Sequence, residues 1–351
     1  MKSSDILFNE DSIPKAQLFF NDFKNQKIFI VVDTNTKRYC LDKFLNFFPS
    51  LKDSILLEIK DGELTKSIST ISYLSSLLVK YKAEKKSLLI NLGGGVVSDI
   101  GGFLASIYNR GINYVNIPTT LLSQVDASIG GKTGVNFNGI KNKLGAYYNP
   151  KFILIIPEFL KTLNKSELIS GYGEIFKYSL IEDKDLWEFL KKNYKKNTSL
   201  NNELDSIIYK CAKIKSYFVN KDPFDNNERK ILNFGHTIGH AIESANIDNP
   251  KFNHGISVII GIICECYITN KLFHLTDEMF IEIYKTLLFN FSLPKLNNTN
   301  KILSYILSDK KKENDEIKIV SISKVGNPIY DICISEKQVK ESLNYFNSIN
   351  V

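Results

Sequence analysis

The chain has 351 residues, of which 43% are hydrophobic and 24% are charged, and its formal net charge is +7. Single hydrophobic cores stop growing near ~250 to 300 residues, so this length predicts a globular protein with two domains. No apolar run approaches the ~20 residues that a membrane-spanning helix needs, which argues against a membrane protein. The N-terminal segment lacks a basic region, an apolar core and a cleavage site, and we therefore expect a cytoplasmic enzyme.

The surplus of positive charge raises the question of a nucleic-acid partner. The lysine runs KKNYKKN and DKKKEND are interleaved with asparagine and acidic residues, and they lack the aromatic spacing of a platform for base stacking. We interpret them as solvated surfaces and expect no nucleic-acid partner. Positive charge also attracts small anionic substrates, which is the use we favour here.

The cysteines are odd in number and scattered along the chain. This pattern predicts neither a disulfide framework nor a thiolate metal site. We expect all five to be buried, reduced thiols: Cys40, Cys211, Cys264, Cys266 and Cys333.

The first half of the chain alternates short apolar runs with helical or loop segments. The runs KIFIVVDTN, SILLEIK, SLLINLGGG, NYVNIPTT and FILIIP are typical of buried parallel strands. From about Ser166 the pattern becomes helical, with KSELISGYGEIFKYSLIED and ERKILNFGHTIGHAIES among the predicted helices. After Pro294 we expect a short helix, the strand pair IKIVSIS and PIYDICI, and a closing helix. The sequence therefore predicts an α/β domain over residues 1–160 and a mainly α-helical domain over residues 161–351.

The segment LLINLGGGVVSDIGGFLASIY indicates a strand, a glycine turn and a helix. This order can place a dinucleotide pyrophosphate at the N-terminus of a helix. Gly93 and Gly95 match the first half of the fingerprint G-x-G-x-x-G, but Ser98 occupies its third position. A tight turn without a ligand is the alternative. Gly101 and Gly102 predict a close approach by another segment, since glycine inside a helix costs about 1 kcal/mol relative to alanine.

Polar residues follow two of the predicted strands. Asp33 and Asn35 lie at the end of the first strong strand, where they can bind a ribose or an adenine edge. Glu63 and Lys66 lie in another loop at a strand end.

The segment PTTLLSQVDASIGGKTGVNFNGIKNKLG is rich in glycine and has little helical periodicity. We expect a long functional loop there, because such loops are uncommon in compact domains unless they bind or cover a ligand. It carries Asp126, Lys132, Lys141, Asn142 and Lys143. Lysine offers several rotatable donors and a compact charge, so this segment is a candidate phosphate site.

Three of the four histidines lie close together, as His236, His240 and His254, after an isolated carboxylate at Glu174 in GYGEIFKY. Positions 236 and 240 share one face of a helix, and His254 can approach from the next helix. Imidazole ligands with one carboxylate and an open position are typical of catalytic zinc. The alternative for each histidine is a half-buried polar residue without a metal.

These segments together resemble the 3-dehydroquinate synthase family of the sugar phosphate cyclase superfamily, which is related in fold to the glycerol dehydrogenases. The blocks GGGVVSDIGGFLAS, YNRG, IPTTLLSQVDASIGGKTGVN, KNKLG, GYGEIFKY, RKILNFGHTIGHAIE and NHG follow the order and spacing of that family from Asp33 to Asp309. The resemblance implies a dehydroquinate synthase-like fold, with an α/β N-terminal Rossmann-like domain that binds NAD and an all-α C-terminal domain that binds metal and substrate.

The resemblance also implies the cofactor sites. Zinc, or cobalt, would be bound by Glu174, His236 and His254. NAD would be bound by Asp33, Asn35, Glu63, Lys66, Gly94, Gly95, Val96, Asp99, Thr119, Thr120, Leu122, Lys141, Thr162, Leu163 and Glu167.

The substrate residues implied by the resemblance form three groups. The phosphate pocket would contain Lys132, Asn142, His240, one of Lys310 and Lys311, and Arg110 from a second subunit, which implies a homodimer. Lys215 and Arg229 would bind the substrate carboxylate. Asp126, Lys177 and Asn233 would contact the reacting hydroxyls.

An enzyme of this kind is expected to convert 3-deoxy-D-arabino-heptulosonate 7-phosphate to 3-dehydroquinate and phosphate, in the shikimate pathway of aromatic amino acid biosynthesis. The expected steps are a transient oxidation by NAD, elimination of phosphate, re-reduction and an intramolecular aldol closure. Zinc is expected to lower the pKa of the reacting hydroxyls.

Three other functions are alternatives. A cyclase of the inosose or valiolone type acts on a sugar phosphate without a carboxylate, and Lys215, Arg229 and Asn233 argue against it. A plain NAD- and metal-dependent polyol dehydrogenase needs no phosphate pocket of several residues, so Lys132, Asn142 and Arg110 argue against that. A silent scaffold or a nucleic-acid-binding protein would have lost site residues, whereas every expected residue is present.

Overall fold

The structure is a computed structural model that describes residues 4–138, 140–195, 203–310 and 316–349, with the backbone only for residues 309 and 310. The chain divides into two compact units, which are Met1–Leu168 with Lys215–Phe224, and Ile169–Ile214 with Asp225–Val351. The boundary proposed between residues 160 and 161 stays a prediction. The first unit extends beyond it to Leu168 and includes a second, separate segment.

The first unit is built around a parallel sheet and a separate hairpin. Its strands are β1 (Asp5–Phe8), β2 (Ile28–Asp33), β3 (Ile55–Ile59), β4 (Leu88–Gly93), β5 (Asn113–Pro118), β6 (Lys132–Phe137), β7 (Ile140–Tyr147) and β8 (Phe152–Ile155). The sheet has the order β1-β8-β5-β4-β2-β3, and its strands pair in parallel. Strands β6 and β7 form the antiparallel hairpin.

Helices surround this sheet and form most of the second unit. The helices are α1 (Ile13–Asn21), α2 (Thr34–Tyr39), α3 (Leu41–Phe47), α4 (Ile68–Lys80), α5 (Gly95–Ile107), α6 (Lys165–Ile181), α7 (Lys184–Asn193), α8 (Leu204–Lys221), α9 (His236–Ala245), α10 (His254–Lys271), α11 (Asp277–Asn290), α12 (Thr299–Lys310) and α13 (Glu336–Ile349). An antiparallel pair, β9 (Ile317–Lys324) and β10 (Asn327–Ile334), precedes α13, as expected.

The sheet is buried on both faces, which explains the continuous apolar runs of its strands. Along β2, Phe29 and Val31 belong to one hydrophobic cluster, while Ile30 and Val32 belong to another. Successive side chains of a strand point to opposite faces, so the two clusters lie on the two faces of the sheet. The five predicted strands are confirmed as β2, β3, β4, β5 and β8.

The prediction of a long loop after β5 was wrong. A π-helical turn at Ser123–Ala127 is followed by the hairpin β6–β7. Gly134 and Gly145 lie opposite each other in this hairpin. A Cβ on Gly145 would lie 2.3 Å from the carbonyl oxygen of Thr133, so this glycine is needed for close strand pairing and not for loop mobility.

The glycine pair inside α5 has the close neighbours that the sequence predicted. A Cβ on Gly101 would lie 1.8 Å from Oδ1 of Asn91, and a Cβ on Gly102 would lie 2.4 Å from Cγ2 of Thr133. These glycines therefore allow α5 to pack directly on β4 and β6.

The prediction of one helix across ERKILNFGHTIGHAIES was also wrong. A 3₁₀ turn covers Glu228–Asn233, and α9 begins only at His236. Gly235 between them has a φ of 77°, in the left-handed region that favours glycine. The chain is therefore redirected one residue before the first histidine.

Helix α10 is the centre of the second unit. Its residues are buried along almost the whole helix, and it packs against α9, α11, α13 and β9. An apolar stretch such as ISVIIGII has no polar face, which is typical of a helix surrounded by protein. Among the described residues, no helix combines the length and the apolar character needed to cross a membrane.

All five cysteines lie within the described residues and are free thiols. Four are buried, as predicted, and burial raises the pKa of Cys211, Cys264 and Cys266. The prediction was wrong for Cys333, which is exposed. It lies on β10, whose residues are mostly half-buried or exposed.

The contact between α6 and α10 yields a stability prediction. A Cβ on Gly173 would lie 2.5 Å from Cα of Gly255 and 2.6 Å from its carbonyl oxygen. We expect Gly173→Ala to lower the free energy of unfolding by about 1 to 3 kcal/mol, because the two backbones must separate. Thermal and urea unfolding measure this. At an open helical position the same exchange stabilises by about 1 kcal/mol, so a stabilised variant would contradict the contact.

Candidate functional site

Three predicted metal ligands converge in the second unit. Oε1 of Glu174 lies 3.3 Å from Nε2 of His236 and 3.1 Å from Nε2 of His254. Their candidate ligand atoms all lie within 4.8 Å of one another. Glu174 projects from α6 and is fully buried, whereas the histidines are the first residues of α9 and α10. Three separate helices thus bring two imidazoles and one carboxylate to one point.

Glycines next to these ligands allow the helices to approach closely. Gly173 precedes Glu174, Gly235 precedes His236, and Gly255 follows His254. Besides the contact between Gly173 and Gly255, a Cβ on Gly235 would lie 2.5 Å from the side chain of Ile262 on α10 and 2.7 Å from a backbone carbonyl oxygen of that helix. The short side chain of Glu174 can reach both histidines because the backbones are this close.

The second nitrogen of each histidine ring also has a partner. Nδ1 of His236 lies 3.0 Å from the carbonyl oxygen of Phe234, and Nδ1 of His254 lies 3.3 Å from Oε2 of Glu243. A carbonyl oxygen can only accept a hydrogen bond, so Nδ1 of His236 must donate. In the neutral ring this leaves the lone pair on Nε2, which is the atom that faces Glu174.

The electrostatics keep Glu174 ionised. Burial alone would raise the pKa of this carboxyl, but the charge of Lys177 and the neighbouring His236 outweigh burial and hold the pKa well below its usual range. Lys177 lies one turn further along α6 and forms an ion pair with Oε2 of Glu174. A carboxylate with one oxygen facing two imidazole nitrogens fits a divalent ion such as zinc or cobalt.

A buried carboxylate holds the start of α9. Glu265 on α10 is fully buried, and it accepts hydrogen bonds from the backbone N–H groups of Gly235 at 2.7 Å and Ile238 at 3.2 Å. Gly235 has no side chain to cap the helix, so Glu265 satisfies these N–H groups instead. It thereby fixes the turn from which His236 projects.

The other predicted residues of the second unit lie on α9, in the turn before it and on α12. His240 is one turn after His236 on α9, with ring centroids 4.9 Å apart. Arg229 and Asn233 lie in the turn Glu228–Asn233, and Arg229 is only 2% exposed. Lys310 is the last residue of α12. Its side chain and the whole of Lys311 lie outside the described part of the chain.

Predicted NAD residues of the first unit lie at the carboxyl ends of its strands. Asp33 ends β2, and its Oδ1 accepts the backbone N–H of Thr36 at 2.7 Å, which caps α2. Gly94 precedes α5, and Gly95 and Val96 form its first turn. The carboxyl edge of a parallel sheet is where α/β proteins bind nucleotides. Asn35 donates to Asp61 at 3.2 Å beside this edge.

A cavity of about 470 Å³ lies at the same edge, beside the end of β3. It is lined by Thr34, Glu58, Ile59, Lys60, Thr65, Ser69, Thr70 and Tyr73. Two of these residues are chain neighbours of predicted NAD residues. The lining combines hydroxyl groups, one carboxylate, one cation and one aromatic ring, which suits a polar ligand with a flat ring.

Lys66 connects several predicted residues in one polar network. It is 5% exposed, and its Nζ donates hydrogen bonds to Asp99 and to the side-chain oxygen of Asn142. The backbone N–H of Asn142 donates to Oδ1 of Asn136 at 2.8 Å, and Nδ2 of Asn136 donates to Glu63 at 2.8 Å. Burial raises the pKa of Asp99, and Lys66 offsets only part of this effect.

Asp126 and Lys215 form an ion pair within the first unit. Asp126 lies in the π-helical turn, and Nζ of Lys215 on α8 donates to its Oδ1 at 2.9 Å. Lys132 is the exposed first residue of β6, and Lys141 lies on β7. Tyr147 at the end of β7 donates to the carbonyl oxygen of Phe224 at 2.9 Å, which ties the segment after α8 to the hairpin.

The remaining predicted NAD residues lie in turns of the first unit. Thr119 and Thr120 follow β5, and the backbone N–H of Thr119 donates to the carbonyl oxygen of Gly93 at 3.0 Å. Leu122 directly precedes the π-helical turn. Thr162 ends a 3₁₀ turn that Leu163 follows, and Glu167 lies in the first turn of α6, where burial raises its pKa.

Arg110 lies in a strained turn after α5. Its φ is 59°, and the φ values of Asn109 and Gly111 are also positive. Nζ of Lys85 donates to the carbonyl oxygens of all three residues. One ammonium group has three donors, so it can stabilise this left-handed run and hold the exposed Arg110 in place.

Sequence reasoning missed three residues that support the site. They are Glu243 beside His254, Glu265 under α9, and Lys85 under the turn of Arg110. Glu243 carried a usable signal, because it lies in the same short segment as His236 and His240. Glu265 and Lys85 are distant in sequence from the residues that they contact, so only the folded structure brings them together.

Known proteins resemble the whole chain. A family model described as 3-dehydroquinate synthase N-terminal matches residues 56–170, and one described as 3-dehydroquinate synthase C-terminal matches residues 171–312. A protein of Clostridium beijerinckii named 3-dehydroquinate synthase is 39% identical over 311 residues, which cover 87% of each chain.

Solved structures confirm the fold. A 2-deoxy-scyllo-inosose synthase in complex with carbaglucose-6-phosphate, NAD⁺ and Co²⁺ has a TM-score of 0.87 at 24% identity, covering 98% of this chain and 99% of that one. A 2-epi-5-epi-valiolone synthase of Streptomyces hygroscopicus with NAD⁺ and Zn²⁺ has a TM-score of 0.85 at 22% identity, covering 99% and 98%. The two family matches and the relative from Clostridium beijerinckii show that the chain belongs to the 3-dehydroquinate synthase family.

Proposed function

We propose that this protein is a 3-dehydroquinate synthase, a lyase that converts 3-deoxy-D-arabino-heptulosonate 7-phosphate to 3-dehydroquinate and phosphate in the shikimate pathway. The observation that carries this proposal is the convergence of Glu174, His236 and His254 in a chain of this family. Bound NAD would take up and return one hydride at carbon 5 of the substrate, and bound zinc would lower the pKa of the neighbouring hydroxyls.

The first unit binds the dinucleotide in this proposal. The N–H groups of Gly95 and Val96 at the start of α5 would bind the pyrophosphate, since a helix N-terminus favours negative charge. Asp33 would bind a ribose hydroxyl, and the cavity beside β3 would accommodate the adenosine end. Lys66 offsets the negative charge of Asp99 next to this site.

The substrate is bound through its two anionic ends. Arg229 presents a buried guanidinium with five donors, which suits a carboxylate, and Lys215 adds a second positive charge. The phosphate would lie against Lys132, Asn142 and His240. The complete phosphate pocket would add Lys310 or Lys311, and Arg110 of the second subunit of a homodimer. Holding both ends fixes one orientation of a flexible substrate.

Proton transfer is assigned to three polar residues. Lys177 is 1% exposed and is held by Glu174, so its ammonium is placed to polarise a hydroxyl bound beside the metal ligands. Asp126 would exchange a proton with a second hydroxyl, and it forms an ion pair with Lys215. Asn233 would donate a hydrogen bond and orient the substrate ring.

We place this reaction in the cytoplasm.

A cyclase acting on a sugar phosphate without a carboxylate is the nearest alternative. The inosose and valiolone synthases share the fold at 24% and 22% identity. Identity at this level does not identify the substrate of this chain. The buried guanidinium of Arg229 favours an acid, because its paired donors match the geometry of a carboxylate.

Phosphate release tests the proposed reaction. Purified protein with NAD and the heptulosonate phosphate should release phosphate without accumulating NADH, since the hydride is returned. Removal of the metal with a chelator should abolish release, and added zinc should restore it. Glu174→Gln should lower the affinity for zinc and the turnover rate together, each by more than ~100-fold. Glu182→Gln, an exposed carboxyl just after the same helix, is the control. Accumulation of NADH by the wild-type protein without release of phosphate would indicate a plain dehydrogenase instead.

Substitution of Arg229 tests the carboxylate site. Arg229→Ala should raise KM for the sugar phosphate by ~10- to 150-fold, because a charge-assisted hydrogen bond contributes about 1.5 to 3 kcal/mol. NAD affinity should be unchanged. Arg229→Lys keeps the charge but loses the paired donors, so we expect a smaller effect. Steady-state kinetics and NAD titration measure these quantities. An equal loss of affinity for NAD and for the substrate would contradict the assigned role.

A further inference from the structure

Glu243 lies beside a metal ligand without being one of the three converging groups. Its Oε2 is 3.3 Å from Nδ1 of His254, and its side chain is 16% exposed. It lies seven residues after His236 on α9, and positions seven apart share a helix face. The same face of α9 therefore presents one metal ligand and the partner of another.

The chemistry of this contact determines which nitrogen of His254 is available. A carboxylate can only accept a hydrogen bond, so Nδ1 of His254 must donate its proton to Glu243. The neutral ring then has its lone pair on Nε2, which faces Glu174 at 3.1 Å. A negatively charged acceptor also increases the basicity of the coordinating nitrogen. The equivalent nitrogen of His236 lies against the neutral carbonyl oxygen of Phe234.

Helix stability does not explain a carboxylate at this position. Glu243 lies in the last turn of α9, and negative charge is unfavourable at the C-terminal end of a helix dipole. The start of the next helix is already capped, because Oδ1 of Asn253 accepts the backbone N–H of Ile256 at 3.0 Å. The contact with His254 gives this carboxylate a role that helix stability does not provide.

We propose that Glu243 is a positioning residue of the metal site, which orients His254 and strengthens its bond to the metal through the hydrogen bond at Nδ1. This inference rests on the proposed metal site. It makes the two imidazole ligands unequal, with His254 the stronger electron donor and His236 the weaker one. Glu243 itself would not touch the metal.

A second metal site is the alternative explanation of the same contacts. His240, Glu243 and His254 also have ligand atoms within 4.8 Å of one another, so a second divalent ion could be shared through His254. That arrangement requires Nδ1 to lose its proton. The positioning role requires that Nδ1 keep it, and the number of bound metal ions distinguishes the two.

Metal affinity without turnover is the direct test. Metal-free wild type, Glu243→Gln and Glu243→Ala would be titrated with zinc against a chromophoric chelator, and with cobalt while the visible spectrum is recorded. We expect Glu243→Ala to raise the zinc Kd by ~10- to 100-fold and to change the cobalt bands. Glu243→Gln retains an acceptor oxygen but no charge, so its Kd should lie between those of wild type and Glu243→Ala.

The control is Glu282→Gln, which removes a half-exposed carboxylate that accepts from Trp187 and Lys191 on α7. It should leave the zinc Kd unchanged. If Glu243→Ala lowers the melting temperature of the metal-free protein, the substitution disturbs the fold as well as the metal site. The zinc Kd of Glu243→Gln then decides the test. A zinc Kd within about twofold of wild type in both Glu243 variants would overturn the proposal. So would two zinc ions per wild-type chain, with one lost in Glu243→Gln.

These outcomes are separate from the fate of the proposed reaction. A wild type that binds one zinc ion through Glu174 but releases no phosphate would contradict the proposed function and leave the role of Glu243 standing. A wild type that releases phosphate while its Glu243 variants bind zinc normally would do the reverse.

Discussion

The close approach of three helix backbones is the constraint on which the proposed metal site depends. Glu174 reaches both imidazoles because α6, α9 and α10 meet at glycines that directly adjoin the ligands, and a Cβ on Gly173 or Gly235 would collide with the neighbouring helix. Geometry of this kind does not tolerate small displacements, since interiors are close-packed. The buried Glu265 adds a second constraint, because it fixes the start of α9 through two backbone N–H groups.

Charge balance explains why this junction favours a cation. Glu174 is fully buried and ionised, with Lys177 on one oxygen and two imidazole nitrogens facing the other. An ionised carboxylate in such a place requires partners. A divalent ion bound at Oε1 would satisfy it while Lys177 stays on Oε2. The same arrangement places an ammonium group beside the proposed metal ligands, where a substrate hydroxyl would lose its proton in the proposed reaction.

Most of the fold was predictable, because buried parallel strands and helices of the second unit have strong periodic signals. Two segments were not. The hairpin β6–β7 was mistaken for a loop, since its glycines serve strand pairing, and the break at Gly235 is set by a left-handed φ that periodicity does not reveal. The proposed metal ligands were indicated by a histidine cluster, but only family resemblance favoured His254 over His240 as a ligand. Lys85 and Glu265 act on residues far away in sequence, so no local pattern indicated them.

Anomalous X-ray scattering at the zinc edge, from crystals of the zinc-loaded protein, tests the central claim most directly. The account predicts one peak about 2.0 to 2.2 Å from Oε1 of Glu174 and from Nε2 of His236 and of His254, which is the usual length of zinc bonds to oxygen and nitrogen. A peak bound by other side chains, or a zinc-loaded crystal in which Glu174 contacts only Lys177, would contradict it.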